Sequence, residues 1–419
     1  MDRHGYSSTV LDKIVTAGSE LKSFQRAGKM LGKLAELEIS AMQVARLTHE
    51  IGAELVVERD RAADQHRYRQ LVPDAQQPPV DLACVEVDGG RIMTRAVATR
   101  GVHDRQWKET KVGCLWRMVG PTHATDPHPE LPRSLASPQR VPQLVRELKG
   151  CTGGPGKPAK SPGTEPAEAR AAEAAEPAPA PAPAEVRPRW QPERIFRTCV
   201  ATLRDVHEFG PLVAAEAQRR GFYAARRRAF LGDGSACNWT MHRLHFRSFT
   251  AIVDFMHVVG YVYGAAGAVT NSWAAQWEQY LTWATACWQG RVDAVLVEMR
   301  EWSTRLGAMP CDAADDDPRK LLASAITYLE HNRERMNYAE YRRQGLPVTS
   351  SLVESLIKEF NLRVKGTEKF WNRPDQVESI LQVRAALLSD DDRLNKHLRN
   401  RPGSPYTRPQ RHRQACCAP

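Results

Sequence analysis

Apolar residues recur at helical spacing through the first part of the chain, between about Glu20 and Glu58. The repeating positions are Phe24, Met30, Leu31, Leu34, Leu37, Met42, Val44, Leu47, Ile51 and Leu55. This period predicts two or three short helices within an N-terminal region, residues 1–75. The segment SAMQVARLTHEIGAEL fits two structures equally well. It could be a helix-turn-helix that enters the major groove of DNA, or part of a small bundle packed on the core.

The pattern then changes to the alternation that is typical of strands. The segments LACVEVDGGRIMTRAV and VGCLWRMV, within residues 80–120, predict the first three antiparallel strands of a sheet. Further along, Arg194 to about Arg228 predicts a long helical stretch, and RAFLGDGS and SFTAIVDFMHV predict two short strands. The mixture of strands and helices predicts an α/β fold.

A stretch rich in proline, alanine and glycine interrupts this pattern from about Pro121 onward. It has few large apolar side chains and cannot bury enough surface to fold. We therefore expect residues 121–193 to be a disordered insertion, partly polyproline II between Pro177 and Pro183. The polar and basic residues 400–419 are expected to be a disordered tail.

Helical periodicity dominates again from Ser272 to Leu306 and through YLEHNRERMNYAEYRRQG, which predicts a helical region over about residues 270–345. This region is dense in tryptophan, with Trp273, Trp277, Trp283, Trp288 and Trp302. Aromatic rings can stack on unpaired bases. Most of these tryptophans are expected in the core, because an aromatic stripe at helical spacing usually packs there.

The 419 residues carry a formal net charge of +10, and 42% of them are hydrophobic. This length suffices for two or three domains with a substantial core. The positive charge favours a polyanionic partner such as nucleic acid, because neutralised phosphates release counterions. Nine cysteines are scattered without a CxxC pair, and no signal peptide is recognisable. Both features are typical of reduced thiols in the cytoplasm.

Two Asp-Gly sequences each end an apolar strand segment: Asp88 in VEVDGG and Asp233 in FLGDGS. If the two strands are neighbours, both carboxylates can bind one pair of divalent cations roughly 4 Å apart. An Asp-Gly pair between apolar runs is also the signal for a tight hairpin turn. The repetition of the motif in this order favours the metal-binding interpretation.

A third carboxylate, Glu354, lies in SSLVESLIKEFNLRVKGTEKFW, which predicts a helix with two stripes. The buried stripe consists of Val353, Leu356, Ile357, Phe360 and Val364, and the polar stripe of Glu354, Lys358, Asn361 and Lys365. The polar stripe could place the Glu354 carboxylate over the divalent cations. It could also place its lysines along a DNA backbone. A capping box from Ser351 to Glu354, with an ordinary Glu354–Lys358 pair, explains the same residues.

These segments resemble the DDE transposases of bacterial insertion sequences, in the Kra-type group, which is distantly mutator-like. The resemblance rests on SLVESLIKEFNLRVKGTEKFW and on YLEHNRERMNYAEYRRQGLPVTS before it, and it covers about residues 20–120 and 194–395. It implies an RNase H-like core, a mixed five-stranded sheet with flanking helices, over residues 80–120 and 194–399. The helical segment at about 270–345 is then an insertion in that core, preceded by the N-terminal helices.

The resemblance also implies that Asp88, Asp233 and Glu354 are catalytic acids that hold two Mg²⁺ ions, with Mn²⁺ as the expected substitute. One ion would activate water at the element end and the other would stabilise the leaving 3′ oxygen, after which the 3′-hydroxyl attacks target DNA. The mutator-like signature C/D-x-x-H is matched by Asp254 and His257, which are expected to support the site. Alternatively, Asp254 caps a helix and His257 is a satisfied core residue.

The expected function is therefore metal-dependent cleavage and strand transfer of insertion-sequence DNA ends by a transposase. The expected partners are double-stranded DNA, at the element ends and the target, and further copies of the chain in a homo-oligomer on the DNA. The expected location is the cytoplasm, with the nucleoid. Four cations are predicted to contact phosphates: Lys358, Arg363, Lys365 and Lys369. Two other functions fit the same residues, an RNase H-like nuclease without strand transfer and a transposase-derived DNA-binding protein without activity.

Overall fold

The computed structural model describes residues 5–74, 79–95, 105–152, 190–349, 351–365, 371 and 373–401. In its helices and strands, the side chains at positions 95, 105, 106, 149–152 and 351–354 are outside that description. The described strands are β1 (Leu82–Arg95), β2 (Arg105–Val119), β3 (Glu193–Thr202), β4 (Arg227–Gly232) and β5 (Thr250–Val253). The described α-helices are α1 (Ser8–Glu20), α2 (Phe24–Ala35), α3 (Ala41–Arg67), α4 (Arg140–Thr152), α5 (Val206–Arg219), α6 (Ala236–His245), α7 (Phe255–Ala268), α8 (Trp273–Trp288), α9 (Val292–Leu306), α10 (Pro318–Asn332), α11 (Tyr338–Arg343), α12 (Ser351–Val364), α13 (Pro374–Leu388) and α14 (Arg393–Asn400).

The strands form one mixed sheet in the order β3-β2-β1-β4-β5. The pairs β1–β2 and β2–β3 are antiparallel, whereas β1–β4 and β4–β5 are parallel. Parallel neighbours need a crossover connection, and α6 provides it between β4 and β5. The prediction of an α/β fold with a mixed five-stranded sheet is confirmed for the described residues.

Both faces of this sheet are covered, because alternate residues of each strand point to opposite sides. On β1, Leu82 and Cys84 join a large core with the helices that follow β5, while Ala83 and Val85 join a second core against α5. The central strands are therefore apolar on both faces, as buried parallel strands require. A polar side chain on β1 or β4 is an exception that needs an explanation.

The N-terminal helices α1 to α3 pack with α13 and α14 around a third apolar cluster. The segment SAMQVARLTHEIGAEL is one continuous helix in α3, begun by Ser40, whose side chain accepts a hydrogen bond from the Gln43 N–H. Gly52 marks close packing, since a Cβ there would lie 2.3 Å from the Ser379 carbonyl oxygen on α13. Of the two structures that fit this segment, a helix-turn-helix within it is therefore not formed, and the bundle is.

Residues 194–228 also differ from the helical prediction, because the first of them form strand β3. Thr198, Val200 and Thr202 are β-branched and suit a strand, and β3 pairs along β2 as an edge strand of the sheet. Helix α5 begins only at Val206, after Asp205 caps it. Pairing with a distant strand has overridden the local helical pattern.

The disordered insertion expected over residues 121–193 is contradicted in its first part. Residues 121–152 are ordered and include α4, and Leu135, Val141 and Leu144 are buried in the large core. The Tyr280 hydroxyl donates a hydrogen bond of 2.8 Å to the Leu135 carbonyl oxygen, which fixes this segment to α8. Residues 153–189, with the proline-rich repeat, and the tail 402–419 lie outside the described residues.

The predicted helical region is present as α8 to α11. Trp283 and Trp288 are buried in the core as expected, whereas Trp273 is 57% exposed and stacks on Trp277. Among the described residues, no helix is both long and apolar enough to cross a membrane.

Candidate acid site at the β1–β4 edge

Asp88 and Asp233 occupy equivalent positions along neighbouring parallel strands, Asp88 within β1 and Asp233 directly after the end of β4. The register pairs Glu86 of β1 with Leu231 of β4, and each aspartate lies two residues further along its own strand direction. Parallel strands lie about 4.8 Å apart, so this register brings the two positions to the same edge of the sheet. Both also continue the face of β1 and β4 that packs on the large core.

The two aspartates line one cavity of about 290 Å³, which we call the acid cavity. Its lining residues are Asp88, Gly89, Gly90, Arg91, Glu109, Leu144, Glu147, Leu148, Asp233, His257, Ile357, Lys358 and Asn361. The structure thus brings together four residues that the sequence analysis had singled out from four different segments. They are Asp88, Asp233, His257 and Lys358.

Asp88 lies inside β1 and not at its end, since β1 continues through Gly89 and Gly90 and stays paired with β2. Neither the predicted strand end nor the alternative hairpin turn is present at this position. What ends here is the pairing with β4, because the last parallel pair is Glu86 with Leu231. The Gly89 N–H donates a hydrogen bond of 2.6 Å to Asp88 Oδ1.

Asp233 follows β4 in a tight turn that leads into α6. Gly234 takes a φ of +94°, a conformation that residues with a Cβ rarely adopt. Asp233 Oδ1 accepts hydrogen bonds from the Ser235 N–H at 2.9 Å and from Asn238 Nδ2 at 2.8 Å. Both donors are neutral, so they orient the carboxylate without neutralising it.

Asp254 and His257 form a pair at the start of α7. Asp254 caps the helix by accepting from the Met256 N–H, and its Oδ2 lies 2.7 Å from His257 Nδ1. Burial would lower the pKa of His257, but the hydrogen bond to Asp254 and the charges of Asp254, Asp233 and Asp88 raise it to about 9. The helix cap of the alternative interpretation is therefore present, and the imidazole also reaches the acid cavity.

Helix α12 crosses β1 close to Asp88. A Cβ on Gly90 would lie 3.4 Å from Asn361 Oδ1, so Asn361 is within van der Waals range of this part of the strand. Leu356 and Phe360 are buried beneath the helix. Glu354 belongs to α12, but its side chain is outside the described residues, so neither its predicted metal-binding role nor the capping box is tested.

The four predicted DNA-contacting cations have different environments. Lys358 is 73% exposed and lies 3.6 Å from Glu147, and Lys365 is exposed, whereas Lys369 is outside the described residues. Arg363 is only 2% exposed, and its Nε donates to the Gly18 carbonyl oxygen at 2.9 Å. The prediction that Arg363 contacts DNA is wrong, because one helical turn places it beside the buried Phe360 and Val364, where it joins α12 to α1.

Two polar residues of this region were not predicted from the sequence. Asn238 orients Asp233 through its side-chain amide, and Glu86 is fully buried on the same face of β1 as Asp88. The Trp116 indole N–H donates to Glu86 Oε2 at 2.9 Å. Glu86 had a detectable signal, since a charged residue two positions before Asp88 in an apolar strand is unusual.

The described side chains include no group of three or more His, Cys, Asp or Glu residues arranged to hold a metal ion. Glu354 is not among those side chains, so this absence does not concern the predicted set of three acids. No protein-family model matches the chain, and no curated protein matches it.

Proposed function

We propose that the protein is a DDE transposase with an RNase H-like core, which cleaves and joins insertion-sequence DNA ends at the acid cavity. The observation that carries the proposal is that the register of β1 and β4 brings Asp88 and Asp233 to the same edge of the sheet, where both line the acid cavity. The sheet supports it as well, since three antiparallel strands followed by two parallel ones is the arrangement expected of that core.

Helical geometry supports Glu354 as the third acid. Position 354 precedes Lys358 by four residues and Asn361 by seven in α12, and these spacings fall on one face of a helix. Lys358 and Asn361 both line the acid cavity. A carboxylate on the same face, one turn earlier, would approach the two aspartates.

The donor set fits Mg²⁺ or Mn²⁺. Carboxylate oxygens are the ligands these cations prefer, and the described hydrogen bonds to Asp233 both go to Oδ1, so that Oδ2 is the oxygen a cation would take. Asp88, Asp233 and Glu354 would hold the cations, which supply positive charge to a phosphodiester and to the attacking oxygen. Asn238 and the Ser235 N–H keep the Asp233 carboxylate in one orientation, and Lys358 offers positive charge to the DNA backbone at the rim.

The test is single-turnover nicking of a labelled duplex that carries the element's terminal inverted repeat, in Mg²⁺. Asp88→Asn, Asp233→Asn and Glu354→Gln should each reduce the rate by roughly 10³-fold or more, because the amide keeps the shape and loses the charge. Binding to the duplex without metal should survive. Glu301→Gln, which changes an exposed carboxylate on α9, is the matched control and should cut at the wild-type rate.

The outcomes separate the related functions. Nicking without joining to a target duplex would favour a nuclease of the same core, and binding without nicking would favour a DNA-binding protein. If Asp88→Asn or Asp233→Asn cuts as fast as the wild type, the acid cavity is not the site of the reaction.

A further inference from the structure

Helix α10, in the helical region that follows the sheet, reaches back to the Asp233 turn through one side chain. The Tyr328 hydroxyl donates a hydrogen bond of 2.9 Å to the backbone carbonyl oxygen of Asp233. Its ring covers Gly234 so closely that a Cβ there would lie 2.6 Å from Tyr328 Cε2. Position 234 therefore requires a glycine for two reasons, the φ of +94° and the close contact with the Tyr328 ring.

The position of Tyr328 is itself fixed from two sides. Its ring stacks on Tyr261 of α7, with 3.9 Å between the ring centroids. One turn along α10, buried Asn332 donates to the Tyr328 carbonyl oxygen and accepts from the indole N–H of Trp239 at 2.8 Å. Trp239 belongs to α6, which starts directly after the Asp233 turn, so α10 is bonded to the turn and to the helix beyond it.

We propose that Tyr328 is a positioning residue of the acid cavity, which holds the Asp233 backbone so that its carboxylate meets the cation shared with Asp88. Asn238 orients the carboxylate and Tyr328 fixes the peptide that carries it. A displacement of about 1 Å in such a site can cost 10²-fold in rate. The helical region then has a direct part in building the site. This inference rests on the proposed function.

The test compares Tyr328→Phe with Tyr280→Phe. Tyr280 is a matched control, because it too donates its hydroxyl to a backbone carbonyl in the same helical region, at 2.8 Å from the Leu135 oxygen. Three quantities are measured on the full chain: hydrogen exchange of the amides at 232–238, Mn²⁺ affinity without DNA, and the Mg²⁺ concentration that half-saturates nicking.

Tyr328→Phe should speed exchange at the turn, weaken Mn²⁺ binding roughly tenfold and raise the Mg²⁺ requirement, with nicking restored at high Mg²⁺. Tyr280→Phe should change none of these. Gly234→Ala, which forces the turn against the Tyr328 ring, should act in the same direction and more strongly.

The positioning role would be overturned if Tyr328→Phe showed the same hydrogen exchange and the same Mn²⁺ affinity as the wild type while Asp233→Asn lost Mn²⁺ binding. That result would leave the proposed function standing. If the wild-type protein binds no Mn²⁺, or Asp233→Asn binds it normally, the proposed function fails, and the metal part of this inference fails with it. The exchange measurement still decides whether Tyr328 holds the turn in that case.

Discussion

The carboxylates of two polar cavities in the described part of the chain have opposite kinds of partners. The larger cavity, about 400 Å³ between α3, α5, α13 and α14, contains Glu216, Asp391, Arg220 and Arg393, and we call it the ion-pair cavity. Its acids contact arginines, with Arg393 at 2.8 Å from Glu216 and 2.9 Å from Asp391. In the acid cavity, by contrast, the described partners of Asp233 are a backbone N–H and an amide.

The pKa values follow this difference. Burial would raise the pKa of Glu216, but the charges of Arg393, Arg219 and Arg220 lower it to about 2. In the acid cavity, burial would lower the pKa of His257, but Asp254, Asp233 and Asp88 raise it. The acids of the ion-pair cavity thus pair directly with arginines, whereas Asp88 and Asp233 of the acid cavity act with Asp254 on one imidazole.

The comparison predicts opposite effects of removing one acid from each cavity. Glu216→Ala should lower the free energy of unfolding by about 3 kcal/mol, because it leaves two buried arginines with Asp391 as their one shared acid. Asp233→Asn should leave stability unchanged or raise it, because it removes a charge facing other carboxylates. Urea unfolding measures both, with the exposed Glu208→Ala on the same helix as control. A stable Glu216→Ala protein would mean that the arginines find other partners.

Because His397 lines the ion-pair cavity, we expect the protein to lose stability at alkaline pH. Burial would lower the pKa of His397, but hydrogen bonds to Glu54 and Glu58 raise it from 6.5 to about 9. Because the folded pKa is raised, this contribution is complete below pH 6.5 and is lost as the pH rises through 9. The difference in unfolding free energy between the wild type and His397→Gln should shrink over that interval. A difference that does not depend on pH would show that the imidazole is not charged there.

Substituting the exposed lysines of α12 should affect DNA binding, whereas substituting its buried arginine should affect stability. The double change of Lys358 and Lys365 to alanine should reduce the slope of log affinity against log salt by roughly two units and leave folding intact. Arg363→Ala should leave that slope unchanged and destabilise the fold by roughly 2 kcal/mol, because Arg363 is buried under the Phe24 ring. Equal slopes in all variants would place the two lysines on an ordinary solvated surface.

The smallest effect is expected from the proline-rich repeat. Deleting residues 153–184 should leave the thermal unfolding midpoint unchanged, since the composition offers no core and added loop length costs little. Differential scanning calorimetry of the shortened chain checks this. Loss of a cooperative transition would show that the segment packs on the fold.

Sequence patterns predicted the structural features that depend only on a short stretch of chain. Alternation in β1 and β4 identified Asp88 and Asp233, and helical spacing identified α12. Patterns failed where a distant neighbour decides the structure. Strand β3 depends on pairing with β2, and α4 depends on burying Leu144 in the core.

The orienting residues of the acid cavity are hidden from the sequence for the same reason. Tyr328 is 95 positions from Asp233, and no local pattern connects a tyrosine in α10 with a turn after β4. Arg363 was misjudged because a basic residue near a polar stripe is usually exposed. Only the packing of α12 on α1 shows that this guanidinium is enclosed.

The central claim is that the acid cavity, and not the ion-pair cavity, is a divalent cation site. The most direct measurement is anomalous diffraction from crystals of the full chain soaked in Mn²⁺, because it locates the ion without assuming a reaction. We expect Mn²⁺ between the carboxylates of Asp88 and Asp233, with Glu354 approaching it from α12, and no Mn²⁺ beside Glu216. An acid cavity that stays empty at a Mn²⁺ concentration that supports nicking, or Mn²⁺ in the ion-pair cavity instead, would contradict the account.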